Sequence, residues 1–257
     1  MNKRLILKYI KYLHLFLKYR DLINSINRVR LERNKKLNQY LQKIYFKRRR
    51  GYKAIELPTK LQFLYNRKSC RFFLRKKISL NIIKEIINVA YGIIKIEPQT
   101  KIIHRTTPSA GAFYPLILVY IDLINGKAYQ SSGYNLELIK NFNPKEIEKI
   151  KEILGLNFFK NFDFNKAGGV ILILSNLSQS ILKYGFRAYY FSLIESGHVA
   201  QNIYIYCASK NNKIGCCEIG YPVSENKLKK FLHILKNPYV FHSLTIVIGY
   251  LNKTKYD

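Results

Sequence analysis

The sequence predicts an α+β fold, a sheet flanked by helices with one long central helix, and three kinds of segment point to it. Short runs of aliphatic and β-branched residues, Leu116 to Ile121, Val170 to Leu174 and Thr245 to Ile248, have the length and composition of buried strands. Between them lie segments with helical spacing and recognisable start and stop residues. A mostly apolar stretch over 187–210 is long enough to run through a domain as a single helix.

The chain divides in two by charge. Residues 1–53 hold seventeen Lys and Arg against Asp21 and Glu32, a net +15, half of the +30 carried by all 257 residues. Ile6, Ile10, Leu13 and Leu17 share one helical face, with Arg4, Lys8, Lys11 and Lys18 opposite, so this stretch reads as a basic amphipathic helix. The run Lys47-Arg48-Arg49-Arg50-Gly51 reads as a hinge, which makes 1–53 a helical extension and 54–257 the main domain. The apolar face either docks on the body or its dimer partner, or the segment meets a peptide, a nucleic acid or a membrane surface.

From Leu57 onward each element has a local reason. Pro58 to Asn66 suits a short helix. Ser79 caps a helix whose apolar face includes Ile82, Ile83, Ile86, Ile87 and Ala90, and Gly92 ends it. Lys127 to Gln130 and Glu137 to Ile139 form short strands around Ser131-Ser132-Gly133. Asn143, Pro144 and Glu146 begin a helix that Gly155 closes, and Ser224 opens another that stops before Pro238.

Composition excludes several classes. Nearly half the residues are apolar, so the chain has a core. Its basic charge invites phosphate backbones, but the dominance of Lys, Asn, Ile and Tyr with no Trp matches AT-rich coding, and nucleic acid is not the expected partner. Cys70, Cys207, Cys216 and Cys217 have neither zinc-knuckle spacing nor a disulfide pattern, which suits a reducing, cytoplasmic setting. No His-Glu-x-x-His appears, and no metal is expected. In the 187–210 stretch Arg187, Glu195, His198, Gln201 and Asn202 are costly in lipid, so it reads as a buried helix of a soluble protein with no transmembrane segment.

Four motifs carry the chemistry. Arg67-Lys68-Ser69-Cys70-Arg71 places two guanidinium forks and a hydroxyl within five positions, a donor set matched to a phosphate. Pro108-Ser109-Ala110-Gly111 is small enough for backbone to approach a flat ligand closely. Lys183-Tyr184 sets an amine beside a phenol, groups that titrate near pH 10 in isolation and need a special environment to act as a base at neutral pH. Gly215-Cys216-Cys217-Glu218-Ile219-Gly220 is a further small-residue segment, whose cysteines read as buried small residues rather than nucleophiles. No Gly-x-Gly-x-x-Gly or Walker loop is present, which argues against a dinucleotide-binding dehydrogenase.

In order along the chain, the Arg67–Phe72 element, the Arg105–Pro115 element, the Lys183-Tyr184 pair and the Gly197-His198 segment resemble the nitroreductase-like flavoproteins, and within them the SagB-type azoline dehydrogenases, which oxidise thiazolines and oxazolines of ribosomal peptides to thiazoles and oxazoles. The resemblance spans about Leu57 to Tyr250. It implies a nitroreductase-like fold with a mainly antiparallel sheet, FMN between the two chains of a homodimer, and a dimer core built on the long helix, where His198 and Asn202 are structural. By resemblance Arg67, Ser69 and Arg71 hold the phosphate and ribityl end. Pro108, Ser109, Ala110 and Gly111 line the ring and substrate pocket, and Glu218, Ile219 and Gly220 offer backbone groups near the flavin N5. Lys183 is then the base and Tyr184 the donor to the ring nitrogen, or the two exchange roles. The chain departs from many relatives at Ile117, where they carry an acidic residue. The implied partners are an azoline-containing precursor peptide and a cyclodehydratase. Two rival expectations stand beside this one: another nitroreductase-family enzyme using a nicotinamide donor, and a basic peptide- or nucleic-acid-binding protein that has lost its chemistry.

Overall fold

The computed structural model describes residues 56–210, 213–232, 237 and 239–255; the extension 1–53, with its amphipathic face and basic run, lies outside them. After a 3-10 helix over Thr59–Asn66, the helices are α1 (Leu80–Tyr91), α2 (Pro144–Ile153), α3 (Ser180–Tyr184), α4 (Arg187–Ser209) and α5 (Glu225–Leu232). The strands are β1 (Ile93–Ile96), β2 (Ile103–Arg105), β3 (Leu116–Asp122), β4 (Lys127–Ser131), β5 (Leu136–Asn141), β6 (Gly169–Asn176), β7 (Ile214–Ile219) and β8 (Val240–Tyr250).

Strands β3 to β8 form one six-stranded sheet in the order β5-β4-β3-β6-β8-β7, with every neighbouring pair antiparallel. The central strand β6 reads as an unbroken apolar run because both its faces are covered. Val170, Leu172 and Leu174 point to one side, where Ile150 and Ile153 of α2 and Leu228 and Phe231 of α5 pack. Ile171 and Ile173 point to the other, against Ile83 and Ile86 of α1 and Val199 and Ile203 of α4. The result is three layers, helix, sheet and helix, with α4 lying across one face.

The helix signals act as their chemistry requires. Ser79 Oγ accepts the Ile82 N–H, and the N–H of Gly92 closes α1 by donating to Asn88. Asn143 and Glu146 form a reciprocal capping box at the start of α2, satisfying two N–H groups that would otherwise lack partners. Two elements were not anticipated: the separate β1–β2 ribbon and the strand character of β7, whose Cys, Gly and Glu content hides its register beside β8. The long apolar stretch forms one helix, Arg187–Ser209, as expected; just before it Gly185 (φ 56°) ends α3 and leaves Lys183 and Tyr184 on their own short helix. Among the described residues no helix is long and apolar enough to cross a membrane.

Candidate active site

Two clusters bring the sequence motifs together. In the first, the Pro108–Gly111 loop meets the Lys183-Tyr184 pair, although more than seventy residues separate them in sequence. A Cβ on Gly111 would stand 2.5 Å from Tyr184 Oη and 3.3 Å from Lys183 Nζ. Gly111 has φ 62°, a left-handed conformation, so only glycine meets both the backbone and the space requirement. Ala112 (φ 53°) and Tyr114 (φ 48°) share that conformation without glycine's freedom, at about 1–2 kcal/mol each.

Aromatic edges hold the pair. Phe113 meets the Tyr184 ring edge-on at 6.0 Å and Phe191 does so at 5.2 Å, while Lys183 Nζ lies 5.8 Å from the Phe113 ring centre. Tyr184 is half-buried, whereas Lys183 is exposed in the single chain. Beside the pair, Phe113 to Ile117 and Asn176 to Ser180 border a cleft of about 160 Å³.

Beneath the loop is a buried polar network. Glu195 of α4 accepts a hydrogen bond from the Tyr91 hydroxyl at 2.6 Å, and the Ser109 hydroxyl and the Arg105 charge lie nearby. Burial pushes the Glu195 carboxyl up, and burial together with Glu195 pushes the Tyr91 phenol well above its usual range, keeping it a neutral donor.

The second cluster surrounds Arg67-Ser69-Arg71. Ser69 bridges to Cys216 of β7, which brings the segment alongside Glu218 and Ile219 at the end of that strand and Gly220 just beyond it. Tyr204 of α4 joins them: its hydroxyl lies 3.3 Å from Ser69 Oγ and accepts the Glu218 N–H at 3.0 Å. Arg67 lies over the Tyr204 ring at 5.9 Å, and Arg71 donates to the Ser69 carbonyl at 3.2 Å and stacks on Phe162 at 5.3 Å. Arg67 and Arg71 are exposed, and a Cβ on Gly220 would meet no atom within 4 Å. Two cationic forks, a hydroxyl and an open glycine edge fit an anionic, flat-ringed group such as FMN. Lys255, by contrast, is engaged with Asp163 at 3.0 Å.

The remaining candidates take structural places. All four cysteines are buried free thiols; Cys217 is pushed up to about 11 by burial, and Cys216 is also raised by its hydrogen bond with Cys207 and by burial. His198 is exposed on α4, and Asn202 reaches toward the carbonyls of Ala90 and Thr106. Among the described residues no group of three or more His, Cys, Asp or Glu is arranged to hold a metal.

Tyr204 and Tyr91 were not singled out from the sequence, and Arg105 and Glu195 were given no role in the site. Tyr204 carries no signal among 21 tyrosines. Glu195 does, as a carboxylate inside an otherwise apolar helix, where burial requires partners.

Comparison with known proteins fits this geometry. The sequence profile of the Nitroreductase family matches residues 64–250, nearly three quarters of the chain. The chain belongs to the nitroreductase family. It is accordingly a nitroreductase-family oxidoreductase. A Methanocaldococcus jannaschii protein named as a nitroreductase is 26% identical over 176 residues, covering 68% of this chain and 84% of that protein. Among solved structures, a nitroreductase from Ralstonia eutropha superposes with a TM-score of 0.57 at 20% identity, covering 78% of this chain and 86% of that one. The Escherichia coli microcin synthetase McbBCD complex, solved with truncated pro-MccB17 bound, gives a TM-score of 0.61 at 18% identity, over 79% and 77% of the two chains. A Desulfitobacterium hafniense nitroreductase with bound FMN gives 0.50 at 15% identity, over 77% and 91%. These structural likenesses establish the nitroreductase fold.

Proposed function

We propose that this nitroreductase-family chain is an FMN-dependent azoline dehydrogenase, oxidising thiazoline or oxazoline rings of a precursor peptide to thiazoles or oxazoles. The observation that carries the proposal is the meeting of Gly111 with both Lys183 Nζ and Tyr184 Oη. A small-residue loop of the kind that lies along a flat ring thereby ends on an amine and a phenol. A reductase that only passes electrons to a small acceptor has no use for such a pair.

Arg67, Ser69 and Arg71 would hold the phosphate end of FMN, with Glu218, Ile219 and Gly220 along its ring. FMN supplies the acceptor for the two electrons that leave the substrate. The chain's own residues manage the proton. Aromatisation removes a proton from the ring carbon that was the peptide α-carbon and a hydride equivalent from the neighbouring carbon. Lys183 Nζ takes the proton, while the Tyr184 hydroxyl donates to the ring nitrogen and stabilises charge developing there; the reverse division of labour uses the same two atoms. Phe113 and Phe191 fix the phenol by their edges and exclude water from one side of it. The cleft lined by Asn176, Ser178 and Gln179 gives peptide flanking the ring polar groups to contact.

This reading calls for a homodimer. Phe186, Tyr190 (62% exposed) and Ile194 (57% exposed), spaced by four, form an apolar stripe on the outer face of α4. Along that helix Tyr204, beside the cationic cluster, lies about 25 Å from Arg187, next to the Lys183-Tyr184 pair. Antiparallel pairing of two such helices would set the cationic cluster of one chain near the Lys-Tyr pair of the other and cover Lys183. The peptide-bound microcin synthetase neighbour supports a peptide substrate, with a cyclodehydratase as the enzyme that supplies the azoline. Residues 1–53 serve as a separate basic docking segment in this scheme.

The test is direct. Purified protein should be yellow, dimeric and hold one FMN per subunit, and should oxidise an azoline peptide in preference to reducing nitroaromatics. Protein that stays colourless after incubation with FMN defeats the flavin assignment. Brisk nitroaromatic reduction with azolines untouched favours the nicotinamide-dependent alternative.

A further inference from the structure

Glu195 stands partway along α4, 3% exposed, and the proton transfers assigned to Lys183 and Tyr184 make no use of it. The Tyr91 hydroxyl binds its carboxylate and passes the tie onward to the loop. Ser109 lies close enough to favour the charged carboxylate, and its Oγ accepts the Tyr114 N–H at 2.9 Å. Tyr91 donates to Glu195 and accepts the Leu116 N–H at 3.3 Å. Arg105 completes the enclosure: Nη1 donates to the Tyr91 carbonyl at 2.7 Å, its backbone N–H donates to the Tyr114 hydroxyl at 3.2 Å, and its guanidinium stacks on both tyrosine rings.

The segment so anchored is the one that holds Gly111, Ala112 and Tyr114 in left-handed conformations. Such backbone persists only where its surroundings over-determine it. A buried carboxylate also cannot do without its donors, because its own desolvation would then be uncompensated. Anchor and loop therefore hold each other in place.

We propose that Glu195 is the positioning residue of this loop: through Tyr91, and with Ser109 beside it, it keeps residues 109–116 in the strained form that sets Gly111 against Lys183 and Tyr184. The loop part of the proposal stands on geometry alone, and its effect on turnover rests on the azoline reading.

The experiment compares wild type, Glu195→Gln and Glu195→Ala as full-length, FMN-loaded protein, by amide hydrogen exchange and by steady-state oxidation of an azoline peptide. In Glu195→Ala the amides of residues 110–114 and 116 should exchange at least about tenfold faster while those of 117–122 in β3 and of β6 keep their protection. Its kcat should fall about 30-fold or more with KM changed by less than about threefold, as expected when a catalytic group is misplaced rather than lost. Glu195→Gln, which keeps a side-chain acceptor, should recover most of the loop protection and bring kcat to within about tenfold of wild type. Unchanged exchange over 110–116 in Glu195→Ala overturns the proposal, and so does protection lost equally across the sheet. If Glu195→Ala does not fold, Tyr91→Phe removes one tie and keeps the ring. Faster exchange at the Leu116 end of the loop then supports the proposal, and wild-type exchange there overturns it. A wild type that leaves azolines untouched defeats the functional reading, while the exchange pattern still decides whether Glu195 positions the loop.

Discussion

Replacing Gly111 by Ala adds one methyl group at the point where the loop meets the Lys183-Tyr184 pair. The new Cβ would lie 2.5 Å from Tyr184 Oη, so the hydroxyl must retreat by about 0.9 Å to reach ordinary contact at 3.4 Å. Lys183 Nζ, at 3.3 Å, is barely disturbed. An L-residue in this left-handed conformation costs about 1–2 kcal/mol of stability, a modest loss for a domain of this size. Misplacing a catalytic group by about an ångström, however, costs on the order of 100-fold in rate. The two effects separate through a matched control. Gly133 also has positive φ (93°), but a Cβ there meets only Ile93 Cδ1, at 3.4 Å. Urea unfolding should thus show Gly111→Ala and Gly133→Ala each losing about 1–2 kcal/mol. Mass spectrometry of an azoline peptide, following the loss of H2 per ring, should show only Gly111→Ala slowed about 100-fold. Equal turnover by the two variants would refute the claim that Gly111 sets the position of Tyr184.

Other outcomes follow from the same geometry. Arg67→Ala should weaken FMN binding by about 10- to 150-fold, the loss of one charge-assisted contact, measured by flavin fluorescence titration. Tyr204→Phe removes the hydroxyl shared by Ser69 and Glu218 N–H; FMN affinity should fall about tenfold, with a stability loss of about 1 kcal/mol in urea. Asp163 is raised by burial, but the hydrogen bonds and charges of Lys255 and Lys166 outweigh this and hold its carboxyl below the ordinary value of 3.8. Its contribution to stability is present above that pH and lost as pH falls through the lower folded value, so Asp163→Asn should flatten stability against pH in that acidic window. Deleting residues 1–53 should leave the flavin spectrum and dimer intact while weakening capture of the precursor peptide or its cyclodehydratase; loss of dimerisation would place the segment in the core instead.

Much of the sheet and most helix boundaries were legible because they rest on local chemistry. Ser79, Asn143, Pro144 and Glu146 announce helix starts through groups they supply themselves, and the β6 run states its two-sided burial in composition alone. What depends on partners distant in sequence was harder to read. The strand β7 looks like a loop because its Gly-Cys-Cys-Glu content is explained only by Cys70 packed against Gly215 and by Tyr204 above Glu218. The motifs themselves were readable, but their meeting was not: that Tyr184 Oη ends on Gly111 depends on the break at Gly185 and on the loop conformation imposed beneath by Glu195.

The central claim is that Lys183 and Tyr184 serve the removal of a proton from an azoline. The most direct measurement is single-turnover oxidation of a defined azoline peptide by FMN-loaded Lys183→Ala and Tyr184→Phe beside wild type, with flavin absorbance and peptide mass followed together. Wild type should convert the ring, with loss of H2 and bleaching of the flavin band. Both variants should keep bound FMN and slow conversion about 100-fold or more, the scale of a removed acid or base. Full-rate conversion by both variants would contradict the account.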